Sequence, residues 1–132
     1  MKFSTKSRYA LRLMLDLANA GKGEYVSLKD VSERQGISLK YLEQIVSQLA
    51  RTGLVKSSRG PQGGYRLAKD ASQYTPGDVI RAIEGNIAVV ACLGDHPNAC
   101  ARSAYCPTLG FWEGMNTLLN NYLDSMTLQA MA

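Results

Sequence analysis

Two helix boundaries only two residues apart in the N-terminal half constrain the fold of this chain more than any other feature. Gly36 is of the residue type that commonly ends helices, and Ser38 is of the type that begins them by accepting a backbone N–H bond. Ser27 begins the preceding helix, and Asp30 favours its first turn. Two helices joined by so short a turn are typical of a helix-turn-helix.

Apolar residues at helical spacing predict a further helix over residues 5–19, which Gly21 and Gly23 end. Its buried stripe is Tyr9, Ala10, Leu13, Met14 and Leu17. The helix that begins at Ser38 is expected to run to about Thr52. Its core stripe is Leu42, Ile45 and Leu49.

A glycine-rich hairpin follows this third helix. Short strands over residues 54–58 and 65–67 flank the tip, which reads Arg59-Gly60-Pro61-Gln62-Gly63-Gly64. We call residues 54–67 the wing. The sequence therefore predicts a winged helix-turn-helix, a fold class that is mainly α with one small β-hairpin.

The remainder of the chain divides into three parts. Thr75, Pro76 and Asp78 form a typical helix start, and that helix is expected to end near Gly85. Residues 86–108 lack periodicity and predict a loop with no more than one helical turn. Residues 109–128 predict a single long helix. We therefore divide the chain into a winged domain (1–85), a cysteine loop (86–108) and a dimerisation helix (109–132).

The last helix carries a broad apolar stripe that needs a partner surface. A second copy of the chain is the favoured partner, and packing on its own domain is the alternative. The residues assigned to the dimer contact are Trp112, Met115, Leu119, Tyr122, Leu123 and Met126.

Charge is divided unevenly along the chain. Residues 1–70 carry 13 Lys and Arg against 6 Asp and Glu, whereas residues 71–132 carry 2 against 5. The basic excess thus lies in the half that holds the wing, as expected of a surface that faces DNA phosphates, with a merely solvated basic surface as the alternative. No apolar run is long enough to cross a bilayer and the start lacks a signal peptide, so we expect a cytoplasmic protein.

The exposed side of the third helix carries groups that can reach base edges from its N-terminal end. Gln44 can pair with adenine, Lys40 with guanine or a phosphate, and Glu43 with a cytosine amino group. Glu43 is either a specificity filter or a solvated charge paired with Lys40 one turn back. The residues assigned to DNA on this helix are Ser38, Lys40, Tyr41, Glu43 and Gln44.

At the wing, glycines let the tip approach the sugar–phosphate wall, and an arginine there can enter a narrow minor groove. The wing residues assigned to DNA are Arg59, Gly60, Gln62 and Gly63. The expected partner is double-stranded DNA with a palindromic operator. No small-molecule substrate is expected.

The chain has three cysteines, Cys92, Cys100 and Cys106, all within fifteen residues of the cysteine loop. An odd number of cysteines in a cytoplasmic protein argues against a disulfide framework, and the absence of Cys-x-x-Cys argues against a zinc ribbon. Thiolates at these spacings can hold one side of an iron–sulfur cluster. The alternatives are reduced buried cysteines or a thiol switch.

A cluster usually needs a fourth ligand, and His96, the only histidine, lies between the first two cysteines. With His96 as ligand, a 2Fe–2S cluster is favoured. Without it, a 4Fe–4S cluster with an exchangeable iron site is the better choice. His96 can equally be a solvated loop residue.

Several segments resemble the Rrf-two family of winged-helix regulators, above all its IscR-like iron–sulfur branch. They are Ser7-Arg8-Tyr9-Ala10, Glu33-Arg34-Gln35-Gly36-Ile37-Ser38, Tyr41-Leu42-Glu43-Gln44, Gly53-Leu54-Val55 and the wing tip with Tyr65. The resemblance covers nearly the whole chain. It implies a homodimer whose long C-terminal helix crosses to the partner, with a cluster loop beside the helix-turn-helix. It also implies DNA contacts at Lys40, Glu43, Gln44 and Arg59.

The chain departs from the family at the fourth ligand. IscR-like proteins place a histidine three residues after the third cysteine, where this chain has Leu109. NsrR-like proteins use an N-terminal carboxylate, where this chain has Arg8. The first gap between cysteines is also longer than in the IscR-like branch. The fourth ligand therefore stays open.

Functions outside DNA-binding regulation find no support in the sequence. An electron carrier would have no use for the wing or recognition helix, and an enzyme finds no nucleophile elbow, phosphate loop or paired carboxylates. CymR-like relatives, which sense through a protein partner, lack these cysteines. The sequence thus favours a homodimeric DNA-binding regulator that senses iron–sulfur status, redox state or nitric oxide through a cluster. The alternative is a regulator that uses a thiol switch or a protein partner.

Overall fold

A computed structural model describes residues 2–21, 23–61, 63–94, 98 and 100–132. It is mainly helical with one two-stranded antiparallel hairpin, so the expected fold class is confirmed. The elements are α1 (Thr5–Asn19), α2 (Leu28–Gln35), α3 (Leu39–Arg51), β1 (Val55–Ser58), β2 (Gly64–Leu67), α4 (Pro76–Glu84), α5 (Leu109–Leu123) and α6 (Leu128–Met131). Single 3-10 turns cover Ala71–Gln73 and Ala91–Leu93. None of the helices described is long and apolar enough to span a membrane.

The helix-turn-helix is set by the caps that the sequence indicates. The hydroxyl of Ser27 accepts a bond from the backbone N–H of Asp30 at 3.2 Å, and that of Ser38 accepts one from Tyr41 at 3.2 Å. Between them Gly36 has φ +67°, the left-handed conformation that ends α2 at little steric cost. The turn between α2 and α3 is therefore built from local bonds.

The core holds the three N-terminal helices and α4 together. Its fully buried side chains come from α1 to α4, from the residue pair that precedes α4 and from α6. They include Leu13, Met14, Val31, Leu42, Ile45, Leu49, Tyr74, Val79 and Leu128. Tyr74 is the largest of them and carries a polar hydroxyl group. Its hydroxyl donates to Leu54 O at 2.7 Å and accepts from Lys69 N at 3.1 Å, so its burial leaves no bond unmade.

The wing is anchored to the helical body by a third segment. Val26 forms a β-bridge with Tyr65, and both backbone bonds between them measure 2.8 Å. Gly64 allows this approach, because a Cβ atom there would lie 2.2 Å from Val26 O. The wing therefore has a fixed base, from which its tip projects.

The C-terminal region differs from the expected single helix over residues 109–128. The long helix α5 ends at Leu123, and a short helix α6 begins at Leu128. Ser125 bonds back to Tyr122 O at 2.7 Å and Thr127 caps α6, so local side-chain bonds replace the helical ladder here. The prediction of one uninterrupted helix was wrong, because apolar spacing alone does not register these bonds.

Two residues assigned to that helix pack within their own chain instead. Leu128 is fully buried in the core, and its N–H donates to Tyr74 O at 2.9 Å. Leu123 is 7% exposed and packs with Ile80 and Ile87. Leu123 thus belongs to the seam between α4 and α5 of its own chain, and its assignment to the dimer contact stays a prediction.

Candidate DNA-recognition surface and cysteine loop

The exposed face of α3 presents polar side chains to solvent. Lys40, Glu43 and Gln44 are all exposed, and so is the capping residue Ser38. Within the described ranges the two ion pairs are Arg34–Asp16 and Arg81–Asp124, so Lys40 and Glu43 are not paired with each other. Both charges are therefore available to a ligand that approaches this face.

Tyr41 is placed differently from its neighbours. It is half-buried, and its ring meets that of Tyr9 edge-on with centroids 5.6 Å apart. Arg12 in turn lies over the Tyr9 ring at 5.4 Å. The ring of Tyr41 thus packs α3 against α1. Helix periodicity did not indicate this role, because Tyr41 lies among the polar residues of α3.

A polar network holds the end of α2 to α1. Arg34 binds Asp16 through two bonds of 2.7 and 3.1 Å, and Gln35 donates to the same carboxylate at 3.0 Å. Arg12 donates to the Gln35 side chain at 3.2 Å and also to its backbone carbonyl. Burial tends to raise the pKa of Asp16, but the bonds from Arg34 and Gln35 outweigh it and lower that pKa.

This network matters for recognition because Gln35 is the last residue of α2, directly before the turn into α3. Ser32 adds a bond to the carbonyl of Ile37 within that turn, at 2.5 Å. These bonds hold the end of α2 and the turn that leads into α3. These long-range polar contacts were not predictable from the sequence, since their partners are 18 to 23 residues apart.

The wing tip is a tight turn closed by glycines. Gly63 N–H donates to Gly60 O at 2.9 Å, and a Cβ atom at Gly63 would lie 2.2 Å from Ser58 O. Gly60 has φ +102°, which side chains rarely adopt. Arg59 is exposed beside this turn. Gln62, also assigned to DNA, lies outside the described residues.

The three cysteines all have free thiols, as a cluster or a thiol switch requires. Cys92 and Cys106 are half-buried and Cys100 is exposed. In the part of the chain that is described, no three His, Cys, Asp or Glu side chains converge into a metal site. His96 lies outside that part, so its assignment as fourth ligand stays a prediction.

Cys106 has the most distinctive surroundings of the three. Its Sγ lies 3.4 Å from the hydroxyl of Thr108. The hydrogen bond from that hydroxyl lowers the pKa of the Cys106 thiol, and the backbone N–H of Thr108 and the charge of Arg102 act in the same direction. Thiolate is the form that binds iron and the form that reacts with oxidants.

The loop around the cysteines is tied to α5 on one side. The N–H of Val89 donates to the Asn116 side chain at 2.9 Å, and Asn120 donates to Ile87 O at 3.2 Å. These two asparagines lie one turn apart on α5 and bind the backbone at the start of the cysteine loop. Sequence periodicity did not single them out.

The opposite face of α5 is apolar and open. Phe111, Met115, Leu118 and Tyr122 are exposed, with Leu118 at 72%. Of the residues assigned to the dimer contact, Met115 and Tyr122 lie on this face, while Trp112, Leu119 and Met126 are half-buried. Phe111 and Leu118 were not assigned, although the spacing 111, 115, 118, 122 is helical and would have indicated them.

A capped helix-turn-helix, an exposed polar recognition helix and a glycine-tipped wing define a winged-helix, DNA-binding transcriptional regulator. The chain belongs to the Rrf2 family, described as iron-dependent transcriptional regulators, whose profile matches residues 3–132. Members of this family are regulators and not enzymes. The resemblance noted in the sequence is thereby confirmed.

Three relatives illustrate the similarity. The HTH-type transcriptional regulator IscR of Escherichia coli is 43% identical over 128 residues, which cover 97% of this chain and 78% of that protein. The structure of CymR, the global cysteine regulator of B. subtilis, matches with a TM-score of 0.81 and 39% identity, covering 100% of this chain and 96% of that one. The structure of T. potens IscR matches with a TM-score of 0.78 and 39% identity, covering 99% and 85%.

Proposed function

We propose that this chain is a cytoplasmic homodimeric regulator whose affinity for a palindromic operator is set by an iron–sulfur cluster held by Cys92, Cys100 and Cys106. The observation that carries this proposal is the placement of three free thiols in one loop. That loop joins the winged domain to α5, and its first residues, Ile87 and Val89, are bonded to Asn120 and Asn116 of α5.

The DNA-binding part of the proposal rests on exposure and chemistry. Lys40, Glu43 and Gln44 extend from the N-terminal half of α3, where a recognition helix meets base edges. Gln44 matches adenine and Glu43 matches the amino group of cytosine. Arg59 at the wing faces the minor groove, and Lys40 meets a guanine or a phosphate.

The dimer part rests on the apolar face of α5. Four large side chains, Phe111, Met115, Leu118 and Tyr122, form one exposed stripe on a helix that is already anchored to its own domain by its other side. Self-association of that stripe about a twofold axis would place two recognition helices in one symmetric unit. Such a unit matches a palindromic operator.

The donor set of the loop fits an iron–sulfur cluster, because cysteine thiolates are its usual ligands and the pKa of Cys106 is already lowered. When bound, the cluster would supply a state that depends on iron supply and redox conditions. The three cysteines would bring three loop positions together. The bond that Asn116 accepts from Val89 and the bond that Asn120 donates to Ile87 would pass the change in the loop to α5. A 2Fe–2S cluster is favoured if His96 ligates, and a 4Fe–4S cluster if it does not.

Iron and acid-labile sulfide analysis of protein purified without oxygen tests this function, together with visible absorption. We expect brown protein with about two or four irons per chain. The triple variant Cys92→Ala, Cys100→Ala, Cys106→Ala should be colourless, and its affinity for DNA should not change with iron supply or oxidant. Ser103→Ala in the same loop is the control and should behave as the parent chain. If the DNA affinity of the triple variant still changed with iron supply or oxidant, the proposal would be overturned.

A thiol switch without a cluster is the second candidate, favoured by the exposed Cys100 and the lowered pKa of Cys106. A chain that takes up no iron on reconstitution, but whose DNA affinity changes with hydrogen peroxide and recovers with a dithiol, would establish this candidate in place of the first.

A further inference from the structure

An apolar side chain is exposed where the recognition helix meets its ligand. Leu39, the first residue of α3, is 42% exposed. In the described part of the chain, the other large apolar side chains with such exposure lie at positions 105–131, in the cysteine loop and the C-terminal helices. Leu39 therefore stands apart from the stripe that the dimer would cover and needs an explanation of its own.

The position of Leu39 on α3 brings it next to Glu43. Residues four apart lie one above the other on a helix face, and side chains lean toward the helix N-terminus. Ser38, the capping residue before Leu39, is exposed, and so is Lys40 after it. Leu39 thus lies at the leading end of α3, on the side of Glu43, where a recognition helix enters the major groove.

The major groove offers one apolar partner at this depth. Thymine carries a C5-methyl group there, and apolar side chains contact it, whereas the other bases present only hydrogen-bonding groups and cytosine C5–H. A polar groove edge would leave Leu39 with no favourable contact. A methyl group would bury apolar surface on both sides.

We propose that Leu39 is a specificity-determining residue that reads the C5-methyl of a thymine beside the base pair contacted by Glu43. The inference rests on the proposed DNA-binding role of α3. It assigns an apolar contact to a helix whose other assigned groups read hydrogen bonds or charge.

The test is a double-mutant cycle in which one side is a substitution in the protein and the other is the removal of one thymine methyl group from the DNA. An operator is first selected from random duplex with the parent chain. Each thymine is then replaced by deoxyuridine, which removes only the methyl group, and affinity is measured by fluorescence anisotropy for the parent and for Leu39→Ala. Lys40→Ala is the control variant, since it removes a neighbouring polar contact.

We expect one deoxyuridine position in each half-site to weaken binding by the parent chain about fourfold, the value of roughly one buried methyl group. Leu39→Ala should bind the thymine operator more weakly and show no loss at that position, while Lys40→Ala should retain the fourfold loss. Equal deoxyuridine sensitivity in the parent chain and Leu39→Ala, or none in the parent, would overturn the inference. Failure to select any duplex would instead refute the DNA-binding role itself.

Discussion

Arg81 holds both carboxylate oxygens of Asp124, at 2.9 and 3.0 Å. Arg81 lies on α4 and Asp124 directly follows α5, so the pair fixes the end of the long helix to the winged domain. Thr75 donates to the same carboxylate at 2.8 Å, and a Cβ atom at Gly77 would lie 2.3 Å from it. The junction is closely packed, and it leaves the apolar face of α5 turned away from the domain.

Removing the charge of Asp124 should loosen this junction. We expect Asp124→Asn to lower the free energy of unfolding by about 0.5–1 kcal/mol, a modest value because the carboxylate is 44% exposed and screened by water. Urea unfolding at neutral pH measures the change. Asn121→Ala, at a nearby exposed position of α5, should alter stability much less, and an equal loss there would argue against a specific role for the pair.

The wing should be intolerant of a side chain at Gly64. Its added Cβ would lie 2.2 Å from Val26 O, so Gly64→Ala must break the bridge between Val26 and Tyr65. We expect a loss of about 1–3 kcal/mol in the free energy of unfolding. Ser57→Ala, exposed on the facing strand, is the matched control. Wild-type stability in Gly64→Ala would mean that the bridge contributes nothing.

The parts of the fold that are determined by residues close together in the sequence were predictable, and those that depend on distant contacts were not. Ser27, Gly36 and Ser38 set the helix-turn-helix through bonds within a few residues. The pair of Arg81 with Asp124, which fixes the end of α5 to α4, instead joins residues that are 43 positions apart. The same limit applies to the clamp between α1 and α2, the ion pair of Asp16 with Arg34, because no local sequence pattern indicates a contact between these residues.

The candidate site divides in the same way. Exposure of Lys40, Glu43 and Gln44 follows from helix periodicity, and the structure bears it out. The bonds of Asn116 and Asn120 to the cysteine loop link an irregular segment to a helix, and irregular segments have no period to read. Composition indicated the chemistry of the cysteines, but the path of the loop between them depends on contacts.

A charge on the open face of α5 should separate the two copies of the proposed dimer. We expect Leu118→Glu to shift the chain from dimer to monomer, because two carboxylates would be buried against apolar surface at a twofold interface. Multi-angle light scattering after gel filtration measures the mass. Thr117→Glu, exposed one position away, should remain dimeric. A monomeric parent chain, or a dimeric Leu118→Glu, would contradict the assignment of this face.

Stability should fall in acid through three carboxylates whose pKa values are lowered in the folded chain. Bonds from Arg81 lower the pKa of Asp124, bonds from Ser4 and Ser7 lower that of Glu84, and bonds from Arg34 and Gln35 outweigh burial to lower that of Asp16. A group whose pKa is lower when folded stabilises the fold above its unfolded pKa. That stabilisation is lost as the pH falls through the folded value.

The free energy of unfolding should therefore be constant near neutral pH with respect to these groups and decline below about pH 4, the ordinary range of carboxyl groups. Urea unfolding at pH 7, 5, 4 and 3 measures the decline. Asp16→Asn should be less stable at pH 7 and should lose less between pH 5 and 3, since its amide does not titrate. Asp30→Asn, an exposed carboxylate at the start of α2, is the control variant. If Asp16→Asn declined as steeply as the parent chain, the clamp between α1 and α2 would not contribute to the acid sensitivity.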